Sequence, residues 1–232
     1  MNARGNKDMS AIVVLSRYPD IFEPLRQQLD QFEPEAHKVL VTSGREAFLA
    51  PGWDLVAGIE PFIFARNVNL GLKRCLSNIL LLNDDVRISG PLLDRLVQTS
   101  AEHPDIGLLA PQVDGGVGNA MQSVRYRLPD RVAVSSERLA FVAVLIPRFT
   151  LNRIGYLDER FVGYGGDDVD YSFRVQRAGL HLGVTSDVVV QHGHGGALYS
   201  SSFLRRMSAR KYDRSIRRML QVFRAKWQLP EA

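Results

Sequence analysis

Apolar residues in this chain fall into two alternating kinds of run. Ala11-Ile12-Val13-Val14-Leu15 is short, unbroken and rich in β-branched residues, which predicts a central strand buried on both faces. From Asp20 to Phe32, Ile21, Leu25 and Leu29 recur at helical spacing, with Asp20 placed to cap the helix. Lys38 to Thr42 predicts a second strand, Val68 to Cys75 a helix, and Asn78 to Leu82 a third strand. Pro91 to His103 carries Leu92, Leu93, Leu96 and Val97 on one helical face, and Ile106 to Ala110 is again strand-like. Beyond it the pattern predicts a strand over Leu139 to Ile146, a short helix over Pro147 to Ile154, and a longer helix over Asp167 to Ala178. His181 to Thr185 and Val188 to Gln191 read as two further strands. Buried strands alternating with amphipathic helices imply an α/β fold around a mixed, mostly parallel sheet flanked by helices. Ligands of such sheets sit beyond the carboxyl ends of the strands.

Two acidic clusters stand where such a site belongs. Asn83-Asp84-Asp85 ends the run Leu80-Leu81-Leu82, so a rigid strand presents its carboxylates at the tip. Hard oxygen ligands there suit Mg²⁺ or Mn²⁺ shared with substrate phosphates; the plainer reading is a polar turn, where Asp and Asn are favoured. The second cluster is Gly163-Tyr164-Gly165-Gly166-Asp167-Asp168-Val169-Asp170, a glycine loop running into three carboxylates at a helix start. Acids in a first helical turn complement the macrodipole, and Asp170 is spaced to pair with Arg174 on the helix surface. Three acids in four positions exceed what capping needs, and like charges so close raise one another's pKa, which favours a proton acceptor at neutral pH. A third element, Val188-Val189-Val190-Gln191-His192-Gly193-His194, brings histidines out of a buried strand into a glycine-rich loop, as candidate metal or phosphate contacts.

The order of these segments resembles family 2 glycosyltransferases of the GT-A fold. The segments that carry the resemblance are Phe64 to Leu72, Asn83-Asp84-Asp85-Val86, Gly155 to Phe161, Gly165 to Arg174 and Val189 to His192, within Ala11 to Gly196. The glycine loop before the acids is also similar to the galactosyltransferase-type Trp-Gly-Gly-Glu-Asp motif. The resemblance implies a metal-dependent, inverting glycosyltransferase that takes a nucleotide-sugar donor. It makes Asp85 a metal ligand, Asp84 a metal or ribose contact, and His192 a member of the metal shell, the ion being Mn²⁺ or Mg²⁺. It makes Asp168 the general base, Asp167 the group that holds the acceptor, and Tyr164, Gly165 and Gly166 the acceptor loop. Ser16 and Asn69 join Asp84 as donor contacts. Where the family has an Asp that reads the nucleotide base, this chain has Thr42-Ser43-Gly44, which leaves UDP, GDP and dTDP open.

Charge is unevenly spread. The chain carries +4 overall, but Leu198 to Ala232 holds nine basic and two acidic residues, a net +7, so the body before it carries −3. From Phe203 to Trp227, Ile216, Met219, Leu220, Phe223 and Trp227 form one apolar stripe on a basic helix. The stripe docks that helix on the body, or the basic face meets anionic lipid, or it meets nucleic acid, with a glycan, a lipid-linked glycan or a hydroxylated DNA base as the acceptor. We therefore expect a glycosyltransferase domain over 1–197 and a basic extension over 198–232. A nucleotidyltransferase or phosphohydrolase with strand-end aspartates, and a nucleic-acid-binding module, are the alternatives. Cys75 is the sole cysteine, which excludes an internal disulfide and a zinc site built on cysteine pairs. With no apolar run of membrane-spanning length and a polar start from Met1 to Ser10, the expected location is cytoplasmic or peripheral at the membrane.

Overall fold

The structure is a computed structural model that describes residues 10–42, 48–193 and 208–230. Among them nine strands form one mixed sheet, in the order β3-β2-β1-β4-β8-β6-β9-β5, with β7 also paired to β9. The strands are β1 (Ala11–Ser16), β2 (His37–Thr42), β3 (Asp54–Ala57), β4 (Ile79–Asn83), β5 (Val86–Arg87), β6 (Ile106–Gly115), β7 (Val132–Ser135), β8 (Ala143–Ile146) and β9 (His181–His192). β1 to β4 run parallel, β8 lies antiparallel between β4 and β6, and β6 and β9 run with β4.

The central strands are buried on both faces because successive side chains point to opposite sides. Ala11, Val13 and Leu15 of β1, with Ile79 and Leu81 of β4, belong to one core cluster. Ile12 and Val14, with Leu80 and Leu82, belong to the other. The first face is covered by α2 (Phe64–Leu72), α4 (Arg148–Ile154) and α5 (Asp167–Arg177), through Ala65, Val68, Leu151, Tyr171 and Val175. The second is covered by α1 (Pro19–Phe32) and α3 (Leu93–Glu102), through Phe22, Leu25, Leu29 and Leu96. Burying each helix stripe against the sheet is what holds the layers, at about 25 cal/mol per Å² of apolar surface removed from water.

Several boundaries differ from the sequence reading. α1 begins at Pro19 with Tyr18 as its N-cap, so Asp20 stands in the first turn instead of capping. Proline suits a first helical position because its missing N–H has no helical acceptor there. α2 lies four residues earlier at its start than the apolar run at Val68 suggests. The two strands expected over 181–191 are one strand, whose register against β6 shifts between Pro111 and Gln112. Only Ala143–Ile146 of the expected strand 139–146 is regular. A sixth helix, α6 (Ala209–Trp227), carries the basic stripe; the expected domain boundary at 197 lies outside the described residues. No helix among the described residues is long and apolar enough to cross a membrane.

Candidate active site

Parallel strands bring their carboxyl ends to one edge of the sheet. Ser16 ends β1, Asn83 ends β4 with Asp84 and Asp85 directly after it, and His192 ends β9. The short β5 pairs Val86 with His192, and this pairing draws the preceding Asp85 to the histidine. Asp85 Oδ1 lies 3.4 Å from His192 Nε2, and the Ser16 hydroxyl donates to Asp84 Oδ2 at 2.8 Å. Both aspartates are buried. The approach of β6 to β9 depends on Gly115, since a Cβ there would stand 1.9 Å from the His192 carbonyl oxygen.

His192 Nδ1 faces the Gly116 carbonyl oxygen, so Nδ1 must carry a proton to donate. In a neutral ring that leaves the Nε2 lone pair turned toward the Asp85 carboxylate, an arrangement that only a cation between them makes favourable. A second ring proton is one such cation. Burial works to lower the imidazole pKa, but the contacts with Asp85 and Gly116 outweigh it and raise the ring above its ordinary value. A divalent metal is the other. An imidazole whose second nitrogen is fixed on a backbone carbonyl, beside a carboxylate, is the donor set that metals use. Among the described residues no three His, Cys, Asp or Glu side chains are grouped to hold an ion by themselves. A metal held by Asp85 and His192 would take the rest of its shell from a bound ligand, as Mg²⁺ and Mn²⁺ do with phosphates.

The second cluster opens α5. Gly166 is its N-cap, and Asp167 and Asp168 are its first two residues. Asp168 Oδ2 meets Arg138 Nη1 at 3.2 Å, and its Oδ1 accepts from the Val169 N–H at 2.8 Å. Burial and the neighbouring Asp168 push Asp167 up to about 7. Burial raises Asp168 as well, against the pull of Arg138. The guanidinium that bonds Asp168 favours its ionised form, while burial and the neighbouring carboxylate favour the protonated form of Asp167. Asp170 pairs with Arg174 at 2.9 Å as the spacing implies, but it is fully buried rather than on the surface. It also accepts from Lys226 Nζ at 2.6 Å and Trp227 Nε1 at 2.9 Å, both from α6.

The two clusters share one connecting segment. The Asn83 N–H donates to the Val142 carbonyl at 2.9 Å, while Arg138 reaches Asp168. Four residue steps lead from Arg138 to Val142, a backbone span of at most about 14 Å. The Leu139 N–H also donates to Ser172 Oγ at 3.2 Å, which ties this segment to α5. Arg138 borders a cleft of ≈ 410 Å³ that Glu137, Ser172, Phe173 and Gln176 also line.

Other expected residues stand elsewhere. Asn69 spends its amide on the loop before α5: Nδ2 donates to the Leu157 carbonyl at 2.9 Å and to Glu159 at 3.0 Å, and Oδ1 accepts from the Leu157 N–H. Its place is that of a clamp between α2 and this loop. Tyr164, Gly165 and Gly166 lie against α6. The Tyr164 N–H donates to Ser215 Oγ at 2.6 Å, and its ring sits 4.8 Å from that of Tyr212. Gly165 and Gly166 have φ of +84° and +91°, and Cβ atoms there would stand 2.4 Å from Ile216 and 2.6 Å from Phe161. The loop thus uses its glycines to admit α6. His194 and the Ser43-Gly44 pair lie outside the described residues. Arg138 and Gly116 escaped the sequence reading, since nothing local marks a residue whose partner lies thirty or more positions away.

No protein-family model matches the chain, and no curated protein matches it. Solved structures do. The chain aligns with GalNAc-T7, crystallised with UDP, GalNAc and Mn²⁺, at a TM-score of 0.66 and 15% identity, over 96% of this chain and 51% of that one. It has the GT-A fold. The mannosyltransferase PcManGT of Pyrobaculum calidifontis, in complex with GDP-Man and Mn²⁺, aligns at 0.62 with 16% identity, covering 81% of this chain and 58% of that one. Residues 1–349 of S. aureus TarS align at 0.60 with 14% identity, over 79% and 60%. This GT-A chain therefore spans about half to three fifths of the length of these neighbours. At such identities the likeness establishes the fold, and the chemistry rests on the site.

Proposed function

We propose that the protein transfers a sugar from a nucleotide-sugar donor to an acceptor hydroxyl, with a divalent metal at Asp84, Asp85 and His192. The observation that carries this reading is the convergence of Asp84, Asp85 and His192 at the carboxyl ends of neighbouring strands, with the segment Arg138–Val142 bonded both to this edge and to Asp168. Two of the aligned neighbours were crystallised with Mn²⁺ and with UDP or GDP-Man, which supports the same donor class here. A bound Mn²⁺ or Mg²⁺ supplies positive charge to the donor diphosphate. Ser16 holds Asp84 in place, and the backbone of Gly116 holds the imidazole.

On the acceptor side, Asp168 takes the proton of the hydroxyl. The freed oxygen bonds to the anomeric carbon, the bond from that carbon to the diphosphate breaks, and its electron pair leaves with the nucleoside diphosphate. Attack opposite the leaving group inverts the anomeric centre. Arg138 keeps Asp168 ionised and oriented, and Asp167, protonated up to about pH 7, donates a hydrogen bond to the acceptor. The sugar is a hexose or pentose. The lone buried Cys75 suits a reducing, cytoplasmic setting.

Replacing Asp168 with Asn tests the base directly. Transfer should fall by about 10²–10⁴-fold, while metal-dependent donor binding stays within a factor of two to three. Asp85→Ala should show the reverse emphasis, losing donor binding in a titration with and without Mn²⁺. An Asp168→Asn protein that keeps its turnover would remove the proton acceptor from this account. Release of pyrophosphate or nucleoside monophosphate, in place of nucleoside diphosphate, would assign the site to nucleotidyl transfer or phosphohydrolysis.

A further inference from the structure

The outer flank of α6 carries charge that the described part of the body does not pair. Among the described residues, the ion pairs of α6 with the body are those of Lys226 with Asp158 and Asp170. Among the described residues Lys211, Arg214 and Arg218 make no ion pair with the body. They stand at i, i+3 and i+7, so they project from one side of the helix, whereas Asp213 falls on the opposite side. Together with Val162, Gly163 and Ser215 they line a cleft of ≈ 210 Å³. Three cations around a small concave space match a phosphate group. The cleft is also coupled to the catalytic loop. Ser215, in its wall, accepts the Tyr164 N–H, and five residues lead from Gly163 to Asp168, at most about 18 Å of backbone.

Two observations indicate what carries the phosphate. A helix that lies in a membrane needs its apolar face free, but here Met219 and Phe223 are buried with Phe161, and Trp227 packs on Phe173. The rim of the cleft instead continues into Tyr164, 41% exposed, whose ring packs against that of Tyr212, so that an aromatic pair borders the basic flank. Cationic grooves with exposed aromatics follow a nucleic-acid backbone and stack its bases.

We propose that this cleft is a phosphate subsite for a nucleic-acid strand, and that this strand is the acceptor. The second half rests on the glycosyl-transfer reading above. A phosphate in the cleft fixes the strand, so that a hydroxyl borne by a nearby nucleotide meets Asp168.

The test compares the full-length protein with a Lys211→Gln/Arg214→Gln/Arg218→Gln variant. Binding of a fluorescein-labelled single-stranded DNA oligonucleotide is followed by anisotropy in EDTA, which separates it from metal-dependent donor binding. The variant should bind at least tenfold more weakly, and its plot of log affinity against log salt should flatten by about 0.7, the share of one phosphate on a single strand. A Lys211→Arg/Arg214→Lys/Arg218→Lys protein keeps the charge and should keep the affinity. Stabilisation by nucleotide sugars with Mn²⁺ should be the same in all three proteins. Equal oligonucleotide affinity in wild type and the Gln variant overturns the subsite. So does a wild type that binds phosphatidylglycerol vesicles and not the oligonucleotide. If nucleotide sugars stabilise none of the proteins while the oligonucleotide result holds, the glycosyl-transfer reading fails and the phosphate subsite stands.

Discussion

Asp167 and Asp168 adjoin in sequence, yet the fold gives them different surroundings, because Arg138 bonds only Asp168. A measurable consequence lies in the pH dependence of stability. The folded-state pKa of Asp167, about 7, stands above the ordinary carboxylate value of 3.8. The stability it contributes is thus fully present below about pH 4 and is lost as the pH rises through about 7. Asn cannot ionise, so Asp167→Asn should gain on the wild type across that window and level off above it, by on the order of 4 kcal/mol. Urea unfolding at several pH values checks this, and a gain independent of pH would place the proton elsewhere. Cys75 gives a second residue-level expectation. Burial, with Asp54 adding to it, pushes its thiol up to about 12, so a thiol-reactive dye should label it only as the protein unfolds. Asp84, Asp85 and His192 were singled out in the sequence because they end apolar runs, and Asp167 and Asp168 because they follow a glycine loop, both local signals. Arg138 was not, and Asn69, which has the look of a donor contact, is occupied by Leu157 and Glu159.

At the scale of elements, α6 and the Gly163–Gly166 loop depend on each other. Gly165 and Gly179 share a positive φ, +84° and +76°, but a Cβ at Gly165 would meet Ile216 at 2.4 Å while one at Gly179 meets open space. Alanine at Gly179 should therefore cost only the left-handed backbone, about 1–2 kcal/mol. Alanine at Gly165 carries the same backbone cost and must also turn aside the Cδ1 end of the Ile216 side chain, adding about 0.5–1.5 kcal/mol. Chemical denaturation of both variants measures the difference, and faster tryptic cleavage within α6 should accompany only the Gly165 change. Equal costs at the two positions would mean that the helix does not rest on this glycine. The strands and helices of the first half were readable from their periodicity, since burial on both faces or along one stripe dictates residue type position by position. β3, β5 and β7 were not, because strands of two to four residues are fixed by the partners they pair with.

Across the whole molecule, the charge asymmetry that marks Leu198 to Ala232 has an inner and an outer part. Lys226 is turned inward, where it joins Asp158, Asp170 and Arg174 in a largely buried network. Burial opposes ionisation of Asp158, yet hydrogen bonds from Arg160 and Lys226 hold its carboxyl well below the usual range. Removing one member of a buried charge network leaves the others desolvated without full compensation. Lys226→Met should thus destabilise the fold by about 2–4 kcal/mol, whereas neutralising Lys211, Arg214 and Arg218 should change stability by no more than about 0.5 kcal/mol, as solvated positions do. Deleting the chain from Ser208 onward removes both parts at once. It uncovers Phe161 and Phe173 and takes two of the three side-chain partners of Asp170. The shortened protein should melt well below the wild type and bind a hydrophobic dye. Should it instead keep the wild-type midpoint while Lys226→Met does the same, α6 would be an appendage carried by the body. The loop that leads to Asp168 would then owe its shape to its own glycines alone.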